Sequence, residues 1–151
     1  MKLAEALLER ADLQKRLSQL KNRLSMNAKV QEGEAPAEDP AALLRELDAV
    51  IAALETHICQ INRTNAGTVC EGGDTLSDLL ARRDCLRMKT EAMRDFLNDA
   101  GATVMRGTRT EVVIRSTVSV SELQKQTDAL SKELRELDMR IQSLNWTTEL
   151  L

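Results

Sequence analysis

Aromatic side chains are nearly missing from this chain: its 151 residues include one Phe, one Trp and no Tyr. Pockets for planar cofactors are usually walled by aromatic or glycine-rich segments. With six scattered glycines the sequence offers neither, and no cofactor is expected. Histidine is as scarce. The single His57 stands two residues from Glu55 and two from Cys59, a spacing that sends side chains in different directions on a helix. A di-iron bundle needs Glu-x-x-His pairs, so no metal site is expected. No phosphate loop, Ser-His-Asp set or supported Cys-His pair is present, so no enzyme is expected. Positive charge is not in excess either: 21 Lys and Arg stand against 24 Asp and Glu, giving a net charge of −3. That excludes the basic footprint of a nucleic-acid binder. No run approaches the roughly 18–20 apolar residues that span a bilayer, and no membrane span is expected. Glu5 and Glu9 fall where a signal peptide would need its apolar core. Cys59, Cys70 and Cys85 are an odd set without paired spacing. Reduced thiols in a cytoplasmic protein are expected.

What the chain does have is Leu, Ala, Glu, Lys and Arg, with 42% hydrophobic and 30% charged residues. This is the composition of long helices and coiled coils, not of a disordered chain. The expected fold class is all-α: long antiparallel helices in a four-helix, coiled-coil-like bundle, with one short extended segment before the last helix. A single domain over 1–151 is expected, with helices at about 2–29, 40–65, 75–100 and 120–146. Loops fill 30–39 and 66–74, the second being a loop or small hairpin, and the extended segment covers 101–119. Asp39-Pro40 reads as N-cap and first residue of the second helix. Gly101 reads as a left-handed helix stop, and Ser119-x-x-Glu122 as a capping box.

The second helix carries the seam Leu44, Leu47, Ile51, Leu54, Ile58, Ile61, widened by Leu43 and Val50. It then turns polar at Asn62, Arg63 and Asn65. Capping, a register lock and a ligand or partner site are the three readings of that cluster. An up-and-down topology would bring it near Asn145 and Trp146 at the end of the last helix, where a small amphipathic pocket or an indole plug would result. The third helix is apolar on two opposite sides. One stripe, Leu79, Leu86, Met93, Leu97, contains Arg83, which would need a carboxylate partner such as Asp48, Glu55, Asp128 or Asp138. The other stripe, with Cys85, Met88 and Phe96, is the candidate subunit contact. The last helix shows the coiled-coil spacing of Leu123, Thr127, Leu130, Leu134, Leu137, Ile141 and Leu144.

The stretches "MKLAEALLERADLQKRLSQLKNRL", "NAKVQEGE", "INRTNAGT" and "LQKQTDALSKELRELDMRIQSLNWTTEL" together resemble a family of small bacterial proteins that carries the name septicolysin. The resemblance implies a helical protein with no characterised biochemistry, and its label implies a membrane-active, cytolysin-like role. From the residues themselves the leading expectation is a non-enzymatic, self-associating protein with a structural or interaction role, forming a homo-oligomer. The alternatives are that membrane-active role, or a small-ligand binder at the Asn62, Asn65 and Trp146 end.

Overall fold

The computed structural model describes residues 1–102 and 113–151. Four helices hold most of them: α1 Leu3–Met26, α2 Pro40–Gly67, α3 Leu76–Gly101 and α4 Val120–Thr147. The fold is all-α. Among the described residues the only β pairings are two isolated bridges, Lys2 with Glu149 and Val69 with Thr75. None of the helices is long and apolar enough to cross a membrane, among the described residues. The chain divides into two compact units, one of Met1–Leu76 with Gln142–Leu151, the other of Ser77–Ile141. Most of the extended segment expected over 101–119 lies outside the described residues.

Local chemistry sets the helix ends. The Asp39 carboxylate accepts a hydrogen bond from Ala41 N at 3.1 Å, and Pro40 opens α2 as the first helical residue. The α1 helix stops at Met26, short of the expected end, because Asn27 is engaged elsewhere. Its Nδ2 donates to Arg23 O at 2.8 Å and its Oδ1 accepts from Glu38 N at 2.9 Å, tying the loop back to the helix. At α4 half of the expected capping box forms. Ser119 Oγ accepts from Glu122 N at 3.4 Å, while the Glu122 carboxylate turns to Lys125 Nζ at 3.4 Å. Gly101 remains helical; positive φ among the described residues occurs at Gly33, Gly72 and Gly73, so the left-handed stop expected at Gly101 is not used. α2 runs through Gly67, so the loop expected over 66–74 begins at Thr68 and forms a small hairpin closed by the Val69–Thr75 bridge. Gly73 N donates to Cys70 O at 3.0 Å and Cys70 N to Asp74 O at 2.8 Å, with Gly72 and Gly73 at φ of 101° and 90°. Those angles strain any residue but glycine.

In the first unit α1 and α2 pack antiparallel on Leu20, Leu43, Val50 and Leu54, with Leu13, Leu17 and Leu24 partly buried against them. The buried line of α2 is therefore rotated from the expected seam. Leu43 and Val50 are inside, while Leu44, Ile51 and Ile58 are 51%, 45% and 39% exposed. In the second unit α3 and α4 also run antiparallel, since Arg83 meets Asp138 and Arg94 meets Ser131. Leu79, Leu86 and Thr90 are buried on α3, and Leu123, Thr127 and Ile141 on α4. Each buried threonine returns its hydroxyl to its own helix, Thr90 to Leu86 O and Thr127 to Leu123 O, both at 2.8 Å. No acceptor on another element is then required.

Candidate functional site

The polar end of α2 belongs to the first unit, and the helix does not stop there. It continues through Asn62, Arg63 and Asn65 to Gly67 and is closed by Thr68 N donating to Thr64 O at 2.9 Å. The residue that makes the junction is Thr64, fully buried. Its Oγ1 donates to Gln60 O at 2.8 Å and accepts from Leu151 N at 2.9 Å. Beside it, a Cβ at position 67 would stand 3.2 Å from Leu151 Cδ1, so glycine permits the close approach. The tail that follows α4 thus meets the end of α2 within one unit. Asn62 and Arg63 are exposed, Asn65 and Asn145 half-buried, and Trp146 is 55% exposed. Thr64 carried a readable signal: Leu43, Val50, His57 and Thr64 form one row spaced by seven.

The tail after α4 is clasped by the first residues of the chain. Leu3 N donates to Thr148 O at 3.0 Å and Leu150 N to Met1 O at 2.9 Å. The Lys2 ammonium bonds the Glu149 carboxylate and, at 3.3 Å, Thr147 O; the amino group of Met1 lies 3.5 Å from Glu149. The bond from Lys2 holds the Glu149 carboxyl below the usual carboxylate range.

One side of the α1–α2 contact is charged. Glu9, Asp12, Leu13, Arg16, Ala53 and His57 line an open cavity of about 350 Å³. His57 Nε2 lies 3.1 Å from Glu9 Oε2, and its Nδ1 has no hydrogen-bond partner. Two carboxylates and one imidazole converge here without a nucleophile. Among the described residues no three His, Cys, Asp or Glu side chains stand close enough together to hold a metal ion. Further along, Arg16 Nη2 reaches Glu46 at 2.7 Å, and Arg23 bridges Glu46 at 3.3 Å and Glu38 at 2.6 Å. The hydrogen bond from Arg23 holds the Glu38 carboxyl below its ordinary pKa of 4.5, and that from Arg16 does the same for Glu46. Such a shift stabilises the fold above the ordinary pKa, and the gain is lost as pH falls through the lowered one. Glu38→Gln should therefore lower the melting temperature near neutral pH. The gap to the wild type should close as pH falls below 4.5; a gap that stays constant into acid would contradict the assignment.

In the second unit Arg83 is three-quarters buried, with a side chain 24% exposed. Its Nη2 and Nε grip Asp84 Oδ1 at 2.8 and 3.0 Å, and Nε lies 3.9 Å from Asp138. Asp138 is among the carboxylates expected as partners of Arg83. The grip on Asp84 departs from helical spacing, since adjacent side chains on a helix normally diverge. On the opposite side of α3, Cys85 is exposed, Met88 is 59% exposed and Phe96 45%.

Paired long helices, pinned at their ends by threonine, backbone and ion pairs, thus define an all-α protein whose polar groups chiefly hold the fold in register. The chain belongs to the family of unknown function DUF6847, whose model matches residues 10–150. It is also similar to a solved structure, the crystal structure of a functionally unknown conserved protein from Corynebacterium diphtheriae. The two share 40% identity over 100% of this chain and 99% of that one, with a TM-score of 0.91. No curated protein matches the sequence.

Proposed function

We propose that this protein acts by self-association, as a cytoplasmic, non-enzymatic helical protein with a structural or interaction role. The observation that carries the reading is the uncovered apolar side of α3, where Met88 and Phe96 stand 59% and 45% exposed beside Cys85. Aligned apolar side chains left in water are unfavourable by roughly 25 cal/mol per Å², and contiguous patches of them mark interaction surfaces. A homo-oligomer would cover them. Cys59, Cys70 and Cys85 are all free thiols, in keeping with a reducing compartment. Light scattering after gel filtration should return a mass of at least twice 16.8 kDa at micromolar concentration; a stable monomer there would overturn the reading.

A second reading, a small-ligand site formed by Asn62, Asn65, Asn145 and Trp146, is favoured by one observation: Trp146 is half exposed on the unit that holds the ends of both α2 and α4. Trp146 is the only tryptophan, so its fluorescence reports directly on occupancy. Absence of any change across a broad metabolite set would remove this reading. The membrane-active role implied by the septicolysin resemblance has no comparable observation behind it; robust dye release from liposomes would put it ahead of the other two.

A further inference from the structure

The α1–α2 layer of the first unit has two unlike faces. Glu9 and Arg16 of α1 and Glu46 and His57 of α2 pair across one of them. At 100° per residue, Arg10 and Leu17 fall on the opposite side of the buried line through Leu13 and Leu20. Leu44, Ile51 and Ile58 likewise fall on the opposite side of the buried line through Leu43, Val50 and Leu54. Those three α2 residues are spaced by seven, the period of a seam against another helix, and they are 51%, 45% and 39% exposed. Asp48 and Glu55 sit between them, each four residues after one seam residue and three before the next. Across the layer on α1, Arg10 occupies the heptad row of Leu3, Leu17 and Leu24, half-buried, and its Nε is buried without a hydrogen-bond partner. A buried guanidinium N–H with no acceptor is costly.

We infer that this face docks on the same face of a second copy of the chain, with Arg10 of each copy meeting Glu55 of the other. The inference rests on the self-association reading above but places a contact on the α1–α2 face, apart from the α3 side, and gives it a symmetry. Within one chain Glu9 pairs with His57 and Arg16 with Glu46, so residue 10 of α1 lies level with residue 55 of α2. A two-fold axis parallel to the helices lays α2 of one copy antiparallel over α1 of the other without changing that height. Glu55 then comes level with Arg10 twice, once on each side, and the seam residues fill the middle. An axis perpendicular to the helices would instead stack α2 on α2 and crowd Asp48 and Glu55 of the two copies together. The charge pattern selects the first arrangement and makes a second copy the occupant.

The test is a mixing experiment on the full chain. R10E and E55R each put like charges at both contacts, so each alone should self-associate on the order of tenfold more weakly than wild type. Mixed in equal amounts, the two variants should form a heterodimer, since both contacts regain opposite charges. Circular dichroism confirms that each variant is folded. Ile51→Glu, on an exposed seam position, should also weaken association, and mixing should not rescue it. A wild type that is monomeric overturns self-association itself. A wild type that associates, with R10E, E55R and I51E all associating equally well, overturns this surface and leaves the α3 face as the contact.

Discussion

Truncating Leu43 to alanine should lower the stability of the fold by about 2–5 kcal/mol, whereas the same change one residue on, at Leu44, should cost less than about 1 kcal/mol. The two leucines are adjacent on α2 and identical in chemistry. Leu43 is 2% exposed and belongs to the cluster of Leu20, Val50 and Leu54. Deleting its isopropyl group leaves a cavity between α1 and α2 that a two-helix layer can only partly collapse. Leu44 is 51% exposed and leaves no enclosed void. Its truncation should register in the association equilibrium instead, because it heads the Leu44, Ile51, Ile58 seam. Urea denaturation at several protein concentrations separates the effects. The Leu43→Ala loss persists on dilution, while any Leu44→Ala loss should shrink with it. Equal losses at both positions would mean that the expected seam, not the observed one, faces α1.

That contrast also marks the limit of what the sequence could disclose. Helix starts were legible because they rest on local chemistry: Asp39 before Pro40, and Ser119 three residues before Glu122, act through atoms a few bonds away. The pairing face of α4 was legible too, since its apolar stripe is narrow enough to leave one orientation. On α2 the apolar arc is wide. Leu43, Leu44, Leu47, Val50, Ile51, Leu54, Ile58 and Ile61 span more than one neighbour can cover. Periodicity finds the arc, but which edge meets α1 depends on the partner's shape and on the Arg16–Glu46 and Glu9–His57 pairs. The polar cluster shows the same division. Asn62, Arg63 and Asn65 break the seam in the sequence, yet the buried junction is made by Thr64, whose methyl and hydroxyl suit a row of core positions while its Oγ1 is satisfied by Gln60 O. Its second partner, Leu151 N, is 87 residues away, and no local pattern announces a contact of that range. Arg83 and Asp84 were hidden for the opposite reason: they are neighbours, and helical spacing predicts that neighbours diverge.

Removing residues 148–151 should destabilise the first unit by about 2–4 kcal/mol, the loss of three long-range hydrogen bonds from backbone amides at roughly 1 kcal/mol each, with the exposed Lys2–Glu149 pair adding little. The bonds are Leu3 N to Thr148 O, Leu150 N to Met1 O, and Leu151 N to Thr64 Oγ1. Each joins segments distant in sequence, so the tail links the start of α1, the end of α2 and the end of α4. Without it, the amide of the buried Leu3 loses its acceptor. Thr64→Val isolates one strand of this argument. It keeps the shape, removes the hydroxyl, and leaves the Leu151 amide without its acceptor, so it should cost about 1–2 kcal/mol. Hydrogen exchange gives the sharper readout. In the truncated chain the Leu3 amide should exchange far faster while amides in the middle of α2, around Val50, hold their protection relative to global stability. If Leu3 stays protected after truncation, the tail does not clasp the amino end, and the register of the whole first unit would have to rest on the α1–α2 ion pairs alone.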